Sequence, residues 1–330
     1  MNEEIDNATL QKATNVVTML NSYFSERIVG QTNLRMSLLT TLIANGHILL
    51  ESVPGLAKTT AAKVLTNAIG GSFSRIQCTP DLLPSDIIGT QTFNSAKSTF
   101  ETKMGPVYAN FVLLDEINRS SAKTQSAMLE AMQERQVTIG GVLYPLPSVF
   151  IVIATQNPIE QEGTYPLAEA QLDRFLIKEV LDYPTPEEEV EILNRIEKNI
   201  FASEQQVLSL EAISFLQDLC KKVYIDNSIK IYITKIVDAT RHPKKYIDEY
   251  LAKYVLSGAS TRAGIAFMEG AKAVALINGR SFVTPNDIKS LKYSILRHLQ
   301  GGYITFYYIF SNIWGRLTLS HTNHLKIQTP

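Results

Sequence analysis

Apolar side chains recur at helical spacing twice near the start of the chain. Leu10, Ala13, Val16, Val17, Leu20 and Phe24 form one face, and Leu34, Leu38, Leu42 and Ile43 form another that ends at Asn45-Gly46. The period then changes. His47–Glu51 is a short apolar run that ends in a Pro/Gly loop, and a helical stretch from Ala57 to Ile69 follows, closed by Gly70-Gly71. Four more short runs, Phe73–Cys78, Phe111–Leu114, Val149–Ala154 and Phe175–Leu181, are rich in β-branched or aromatic residues, as strands covered on both faces are. Between them lie a helical pattern over Ser121–Gln133 and two predicted hairpins. One is Thr92–Val107 around Asn94–Lys97, the other Gln136–Leu146 around Gly140-Gly141.

Strands alternating with helices predict a parallel α/β sheet. After Pro184 the strand pattern stops, and Pro186–Ile196, Leu210–Val223, Ile229–Arg241, Thr261–Ile277 and Thr284–Leu299 all read as helices. Charge changes at the same place. Residues 1–184 carry 13 Lys and Arg against 18 Asp and Glu, whereas residues 185–330 carry 18 against 14. The expected organisation is an N-terminal helix (1–25), an α/β domain (26–184), a helical domain (185–299) and an aromatic tail (300–330).

The chain has 330 residues, 45% of them hydrophobic, which is ample for a large core and excludes a disordered chain. A net charge of −1 argues against a general nucleic-acid or anionic-membrane binder. Two cysteines, Cys78 and Cys220, exclude a disulfide framework and are expected as buried thiols. The start Met1-Asn2-Glu3-Glu4 is acidic, unlike a signal peptide, and no run of 18 apolar residues occurs. A soluble, cytoplasmic protein is the expectation.

Three segments carry chemistry. Ser52-Val53-Pro54-Gly55-Leu56-Ala57-Lys58-Thr59-Thr60 has the spacing of a phosphate-binding loop between a strand and a helix, with Ser52 and Ala57 at the two motif glycines. Backbone N–H groups at a helix N-terminus would cradle phosphates there, with Lys58 on the β/γ-phosphates and the Thr59 hydroxyl on Mg²⁺. Taken by itself, the segment is equally compatible with a Pro-Gly turn before an ordinary helix. Phe111–Leu114 then runs into Asp115-Glu116, an apolar strand ending in two carboxylates. After a phosphate loop this has the form of a Walker B element, with Asp115 holding Mg²⁺ through water and Glu116 activating the attacking water. Val149–Ala154 ends in Thr155-Gln156-Asn157. In a parallel sheet that places Asn157 at the ligand-binding edge, near a γ-phosphate or its water.

Further segments make the resemblance specific. They include Arg27-Ile28-Val29-Gly30-Gln31, Thr79-Pro80-Asp81-Leu82-Leu83-Pro84-Ser85-Asp86, Asp115-Glu116-Ile117-Asn118-Arg119, Ala154 to Leu167, Gln171-Leu172-Asp173-Arg174-Phe175, and Gly258-Ala259-Ser260-Thr261-Arg262-Ala263. From about Arg27 to His298 the chain resembles the MoxR-type ATPases of the AAA+ superfamily. The resemblance implies a five-stranded parallel P-loop sheet between helices, followed by a helical lid. It implies ATP and Mg²⁺, with Val29 and Gly30 against the adenine, residues 53–60 around the phosphates, Asn157 as sensor 1, and Arg174 as the arginine finger reaching a neighbour's nucleotide. Arg262 resembles sensor 2, expected from the lid onto the nucleotide of its own chain. A six-membered ring that remodels or matures a partner protein is implied, with von Willebrand factor A domain proteins as the usual partners. Neither nucleic-acid binding nor stable membrane insertion is implied.

Three departures stand out. Ser52 replaces a common glycine, at a cost of about 1–2 kcal/mol if that backbone is left-handed. Thr261 replaces a common proline, and the family pattern ends after His298, before a tail containing Tyr303, Phe306, Tyr307, Tyr308, Phe310 and Trp314. Two other readings compete: a helicase-like nucleic-acid motor, and an ATP-binding scaffold with hydrolysis impaired by Ser52. The two hairpins carry only Lys97 and Lys103 as positive charges, thin for tracking a nucleic acid.

Overall fold

A computed structural model describes residues 5–53, 56, 58–158, 163–198, 206–246, 249–253, 255 and 258–297. The aromatic tail from Gln300 on, and Pro54, Gly55 and Ala57 of the phosphate loop, lie outside the described residues. Five parallel strands form the central sheet: β1 (Ile48–Glu51), β2 (Phe73–Gln77), β5 (Phe111–Asp115), β8 (Ile151–Gln156) and β9 (Ile177–Val180), in the order β2-β5-β8-β1-β9. Two antiparallel hairpins stand apart from it, β3 (Gly89–Asn94) with β4 (Thr99–Met104), and β6 (Gln136–Ile139) with β7 (Val142–Pro145).

Among the described residues twelve α-helices run in chain order as α1 (Asn7–Arg27), α2 (Thr32–Ile43), α3 (Lys58–Ile69), α4 (Pro84–Ile88), α5 (Ala122–Glu134), α6 (Glu169–Leu172), α7 (Pro186–Glu197), α8 (Leu210–Lys222), α9 (Asn227–Arg241), α10 (Glu249–Ala252), α11 (Thr261–Ile277) and α12 (Pro285–Leu296). Caps set several of their starts. Asp6, Ser121, Thr185 and Ser209 each accept a backbone N–H from the first turn of the following helix, which satisfies a donor left orphaned at a helix start.

The inner strands are apolar on both sides because both sides are covered. Ile48, Leu50, Phe111, Leu113, Ile151 and Ile153 face α1, α2, α3 and the helical domain in one continuous core. Leu49, Val112, Leu114, Val152 and Ala154 face the other way, into a core with α5. Cys78 and Cys220 are both free and buried, and burial pushes each thiol up to about 12.

Two buried polar clusters hold the edge of the sheet. Lys178 Nζ on β9 lies 2.6 Å from Glu51 Oε2 on β1, and Gln156 of β8 donates to the same oxygen at 2.7 Å. Both charged groups are almost fully enclosed, so each depends on its opposite charge and on hydrogen bonds such as that from Gln156. Burial lowers the Lys178 ammonium pKa, and Glu51 opposes that shift. Next along β9, Glu179 points to the opposite side and accepts from Ser37 of α2 (2.6 Å) and Ser294 of α12 (3.2 Å). The sheet is thus tied directly to the helical domain. Among the described residues no helix is long and apolar enough to cross a membrane.

Candidate nucleotide site

The carboxyl ends of the parallel strands gather the motif residues. Lys58 opens α3 after β1, Asp115 ends β5 with Glu116 next to it, and Asn157 follows β8. Lys58 and Thr59 are half-buried, Thr60 is exposed and Asn157 is buried. Lys58 Nζ lies 3.4 Å from the Ser52 carbonyl, so the ammonium sits over the loop that begins there. Leu56 is buried and Val53 packs against the core.

Ser52 does not behave as its replacement of glycine suggested. Its N–H donates to the Gln156 carbonyl at 3.2 Å, continuing the β1–β8 ladder by one residue. It is not among the non-glycine residues with positive φ. The cost of a left-handed serine therefore does not arise, and the reading of a scaffold disabled by Ser52 loses its motive.

Left-handed strain falls on Glu116 instead, at φ 59° and ψ 52°. For a residue with a Cβ this costs about 1 kcal/mol, and such strain collects at functional sites. The turn is held by the Glu116 N–H donating to Thr155 Oγ1 (2.9 Å) and by the Arg119 N–H donating to the Glu116 carbonyl (2.8 Å). On the side chain, Gln77 Nε2 donates to Glu116 Oε2 (3.1 Å) and Arg119 Nη1 approaches the same oxygen (3.3 Å). Both oxygens of Asp115 are engaged as well. Thr155 Oγ1 donates to Oδ1 at 2.8 Å, and Arg75 grips Oδ2 through Nη2 (2.5 Å) and Nε (3.2 Å).

Thr155, Gln77 and Arg75 carry no role in the sequence reading. The only available signal is period-two placement: Arg75 and Gln77 lie on the same face of β2, which pairs in register with β5 and sets Gln77 beside Asp115.

The donor set fits Mg²⁺. A Thr59 hydroxyl and an Asp115 carboxylate are hard oxygen ligands, and Mg²⁺ bound this way completes its shell with water and phosphate oxygens. Among the described residues no group of three or more His, Cys, Asp or Glu could hold a metal unaided. Val29 and Gly30 lie at the corner where α1 turns into α2. Gly30 and Gln31 both have positive φ, and a Cβ on Gly30 would overlap the carboxylate of Glu188 from α7.

Arg174 and Arg262 are elsewhere. Both line a cavity of about 230 Å³ together with Asn45, His47, Gln133 and Arg135. Asn45 to His47 precede β1 and Arg174 precedes β9, so this cavity lies at the amino ends of the strands, opposite Lys58. The structure thus places Arg262 at the opposite edge of the sheet from Lys58 of the same chain, and does not bring the two together. Arg241 Nε donates to the Ala259 carbonyl (2.8 Å) and the Ala259 N–H to Thr240 Oγ1 (2.9 Å), anchoring the start of α11 to the end of α9. From there Arg262 Nη2 comes within 3.4 Å of Gln133 Oε1, at the end of α5. α2 runs between the Gly30 corner and this cavity, and its 12 residues are about 18 Å long.

His47 braces this second edge. Its Nε2 donates to the Met132 carbonyl (3.1 Å) and its Nδ1 accepts from the Val152 N–H (3.0 Å), so the ring is held neutral. Burial, helped by the charge of Arg135, drops its pKa to about 3. The unfolded chain takes up a proton near pH 6.5 that the folded chain refuses until about pH 3. Stability that is complete above pH 6.5 is thus lost at about 1.4 kcal/mol per pH unit below it. Urea unfolding of the protein at pH 7 and pH 5 is expected to differ by about 2 kcal/mol more than for His47→Gln. Equal acid sensitivity of the two proteins would contradict this assignment.

Comparison with known proteins shows the family. The model of the ATPase family associated with various cellular activities (AAA) matches residues 47–177, and that of the AAA lid domain matches residues 250–299. Chaperone MoxR1 of Mycobacterium tuberculosis is 46% identical over 288 residues, which cover 87% of this chain and 76% of that protein. YeaC of Bacillus subtilis is 46% identical over 273 residues, 82% of each chain. A crystal structure of a protein from Cytophaga hutchinsonii superposes with a TM-score of 0.84 at 43% identity, covering 98% of both chains. A five-stranded parallel sheet with the phosphate-loop and carboxylate residues at one edge, a helical lid, and this level of identity place the chain in the MoxR family of AAA+ ATPases.

Proposed function

We propose that this chain hydrolyses Mg²⁺-ATP in a ring of identical subunits and uses the cycle to remodel or mature a partner protein. The observation that carries this reading is the division of the site between two edges. Lys58, Thr59, Asp115, Glu116 and Asn157 lie at the carboxyl edge of the sheet, and Arg174 and Arg262 at the amino edge. Within one copy the two sets face away from each other across the sheet. A head-to-tail contact between copies can bring both sets to one nucleotide, and contacts of that kind close into rings when the rotation permits. Arg174 Nε is buried and finds no hydrogen-bond partner among the described residues, which suits a side chain completed by such a contact.

At the shared site, Val29 and Gly30 would flank the adenine. Lys58 would neutralise charge on the β- and γ-phosphates, while Thr59 and Asp115 hold Mg²⁺, which screens the developing negative charge. Water attacks the γ-phosphorus in line as the bond to the bridging oxygen breaks. Glu116 takes the water's proton and Asn157 orients the water. Arg174 and Arg262 of the neighbouring copy stabilise the charge on the transferring group. Residues 53–60 would cradle the phosphates, including Pro54, Gly55 and Ala57.

Six subunits and a client with a von Willebrand factor A domain follow from the family resemblance. A polypeptide rather than a nucleic-acid client is favoured by the hairpins, where Lys97 is already paired with Glu101 at 2.8 Å. The test is steady-state ATP hydrolysis at increasing protein concentration. Specific activity that rises with concentration and tracks the ring measured by light scattering supports the reading. A constant specific activity from a monomer overturns the shared site, and tight ATP binding with no turnover at any concentration overturns the enzyme.

A further inference from the structure

Asp115 is the protein's only carboxylate among the proposed Mg²⁺ ligands, yet a cation of the protein's own already sits on it. The Arg75 guanidinium reaches Oδ2 from the neighbouring edge strand through two nitrogens, Nη2 at 2.5 Å and Nε at 3.2 Å. Exposure is unequal: the Arg75 side chain is 50% accessible and that of Asp115 12%. The carboxylate is thus anchored, with Thr155 on Oδ1 and the half-exposed guanidinium on Oδ2. A paired guanidinium on a carboxylate oxygen is among the stronger charge-assisted contacts, and it repels a second cation approaching the same oxygen. A β2 strand serving only to close the sheet has no need of an arginine there.

We propose that Arg75 is a positioning residue that holds Asp115 in place before the metal arrives and competes with Mg²⁺ for it. Arg75 thereby sets the Mg²⁺ concentration at which nucleotide becomes tightly held. This rests on the Mg²⁺-ATP reading above. Arg75 has a second acceptor within reach, since Nη2 lies 3.4 Å from Gln77 Oε1, and the Gln77 amide donates to Glu116. Gln77 thus bridges the guanidinium and Glu116, so a change at Arg75 is also felt at Glu116.

Because substitution of Arg75 also disturbs Glu116 through Gln77, the test reads binding and not turnover. A fluorescent ADP analogue is titrated onto the full chain at stepped Mg²⁺ concentrations, giving the Mg²⁺ half-point for tight binding. Arg75→Gln is expected to lower that half-point about three- to tenfold. Arg75→Lys, which keeps the charge but loses the two-nitrogen grip, is expected to lower it less and in the same direction. In an Asp115→Asn background, Arg75→Gln should change nothing further. An unchanged or raised half-point in both Arg75 variants overturns the proposal, and so does an equal drop in the Asp115→Asn background. Nucleotide binding by the unaltered chain that ignores Mg²⁺ altogether overturns the Mg²⁺-ATP reading itself, which separates the two failures.

Discussion

Alanine at Arg174 is expected to leave ATP bound and to lower its hydrolysis by about 10³-fold or more, the loss typical of an arginine that stabilises the phosphoryl-transfer transition state. The decisive result comes from mixing. A subunit with Arg174→Ala keeps its own Lys58, Asp115 and Glu116, and a subunit with Lys58→Ala keeps its own Arg174. Neither protein is expected to turn over at more than a residual rate alone. The phosphate loop and Arg174 lie at opposite edges of the sheet, so an interface between the two variants can contain one complete site. Random co-assembly puts an intact loop against an intact arginine in about a quarter of interfaces, so the mixture should recover up to about a quarter of the normal rate. Arg262→Ala mixed with Lys58→Ala should recover in the same way, because Arg262 lines the cavity that Arg174 lines. If Arg262 served its own chain, that second mixture would stay inactive while the first recovered. Measuring both on one preparation therefore separates a neighbour's two arginines from one arginine on each side.

How much of this was legible in the sequence depended on how local each feature is. The strands β1, β5 and β8 are short apolar runs whose identity requires no knowledge of their neighbours, and they lie within two residues of where the pattern predicts them. The placement of Asp115, Glu116 and Asn157 at one edge was legible for the same reason, since each lies at the end of its own strand, and that of Lys58 because it opens the helix that follows β1. Arg262 was not. Its position follows from how α11 packs against α2, more than 200 residues away in the chain, and from how Thr240 and Arg241 anchor Ala259. The buried Glu51–Lys178 pair was equally hidden, since Lys178-Glu179 within a strand gives no sign that both charges are enclosed. Ser52 taught the opposite lesson. A residue that breaks a motif proved to be an ordinary ladder residue, because the backbone there is not left-handed. The departure that does carry strain, Glu116, occupies a position where the motif is intact.

That strained turn makes Glu116→Gln the sharpest single probe of the chemistry. The substitution keeps the shape of the side chain and removes only its charge and basicity. Gln77 can still donate to the remaining carbonyl oxygen, and the turn, held by Thr155 Oγ1 and the Arg119 N–H, has no reason to move. Asp115 keeps its own partners, Thr155 and Arg75, so Mg²⁺ and nucleotide binding should be nearly unchanged. Hydrolysis should nevertheless fall by about 10²–10⁴-fold, the usual contribution of a positioned general base. The two effects are measured separately, by binding of labelled ATP and by phosphate release under single-turnover conditions. A loss of ATP binding equal to the loss of rate would make Glu116 a binding residue. A rate within tenfold of normal would show that water attacks without it, and would shift attention to Asn157 and the neighbour's arginines as the groups that organise the reaction. The expected pattern, unchanged binding with turnover nearly abolished, would also yield a ring held in its ATP-bound state, the form in which the partner protein should be sought.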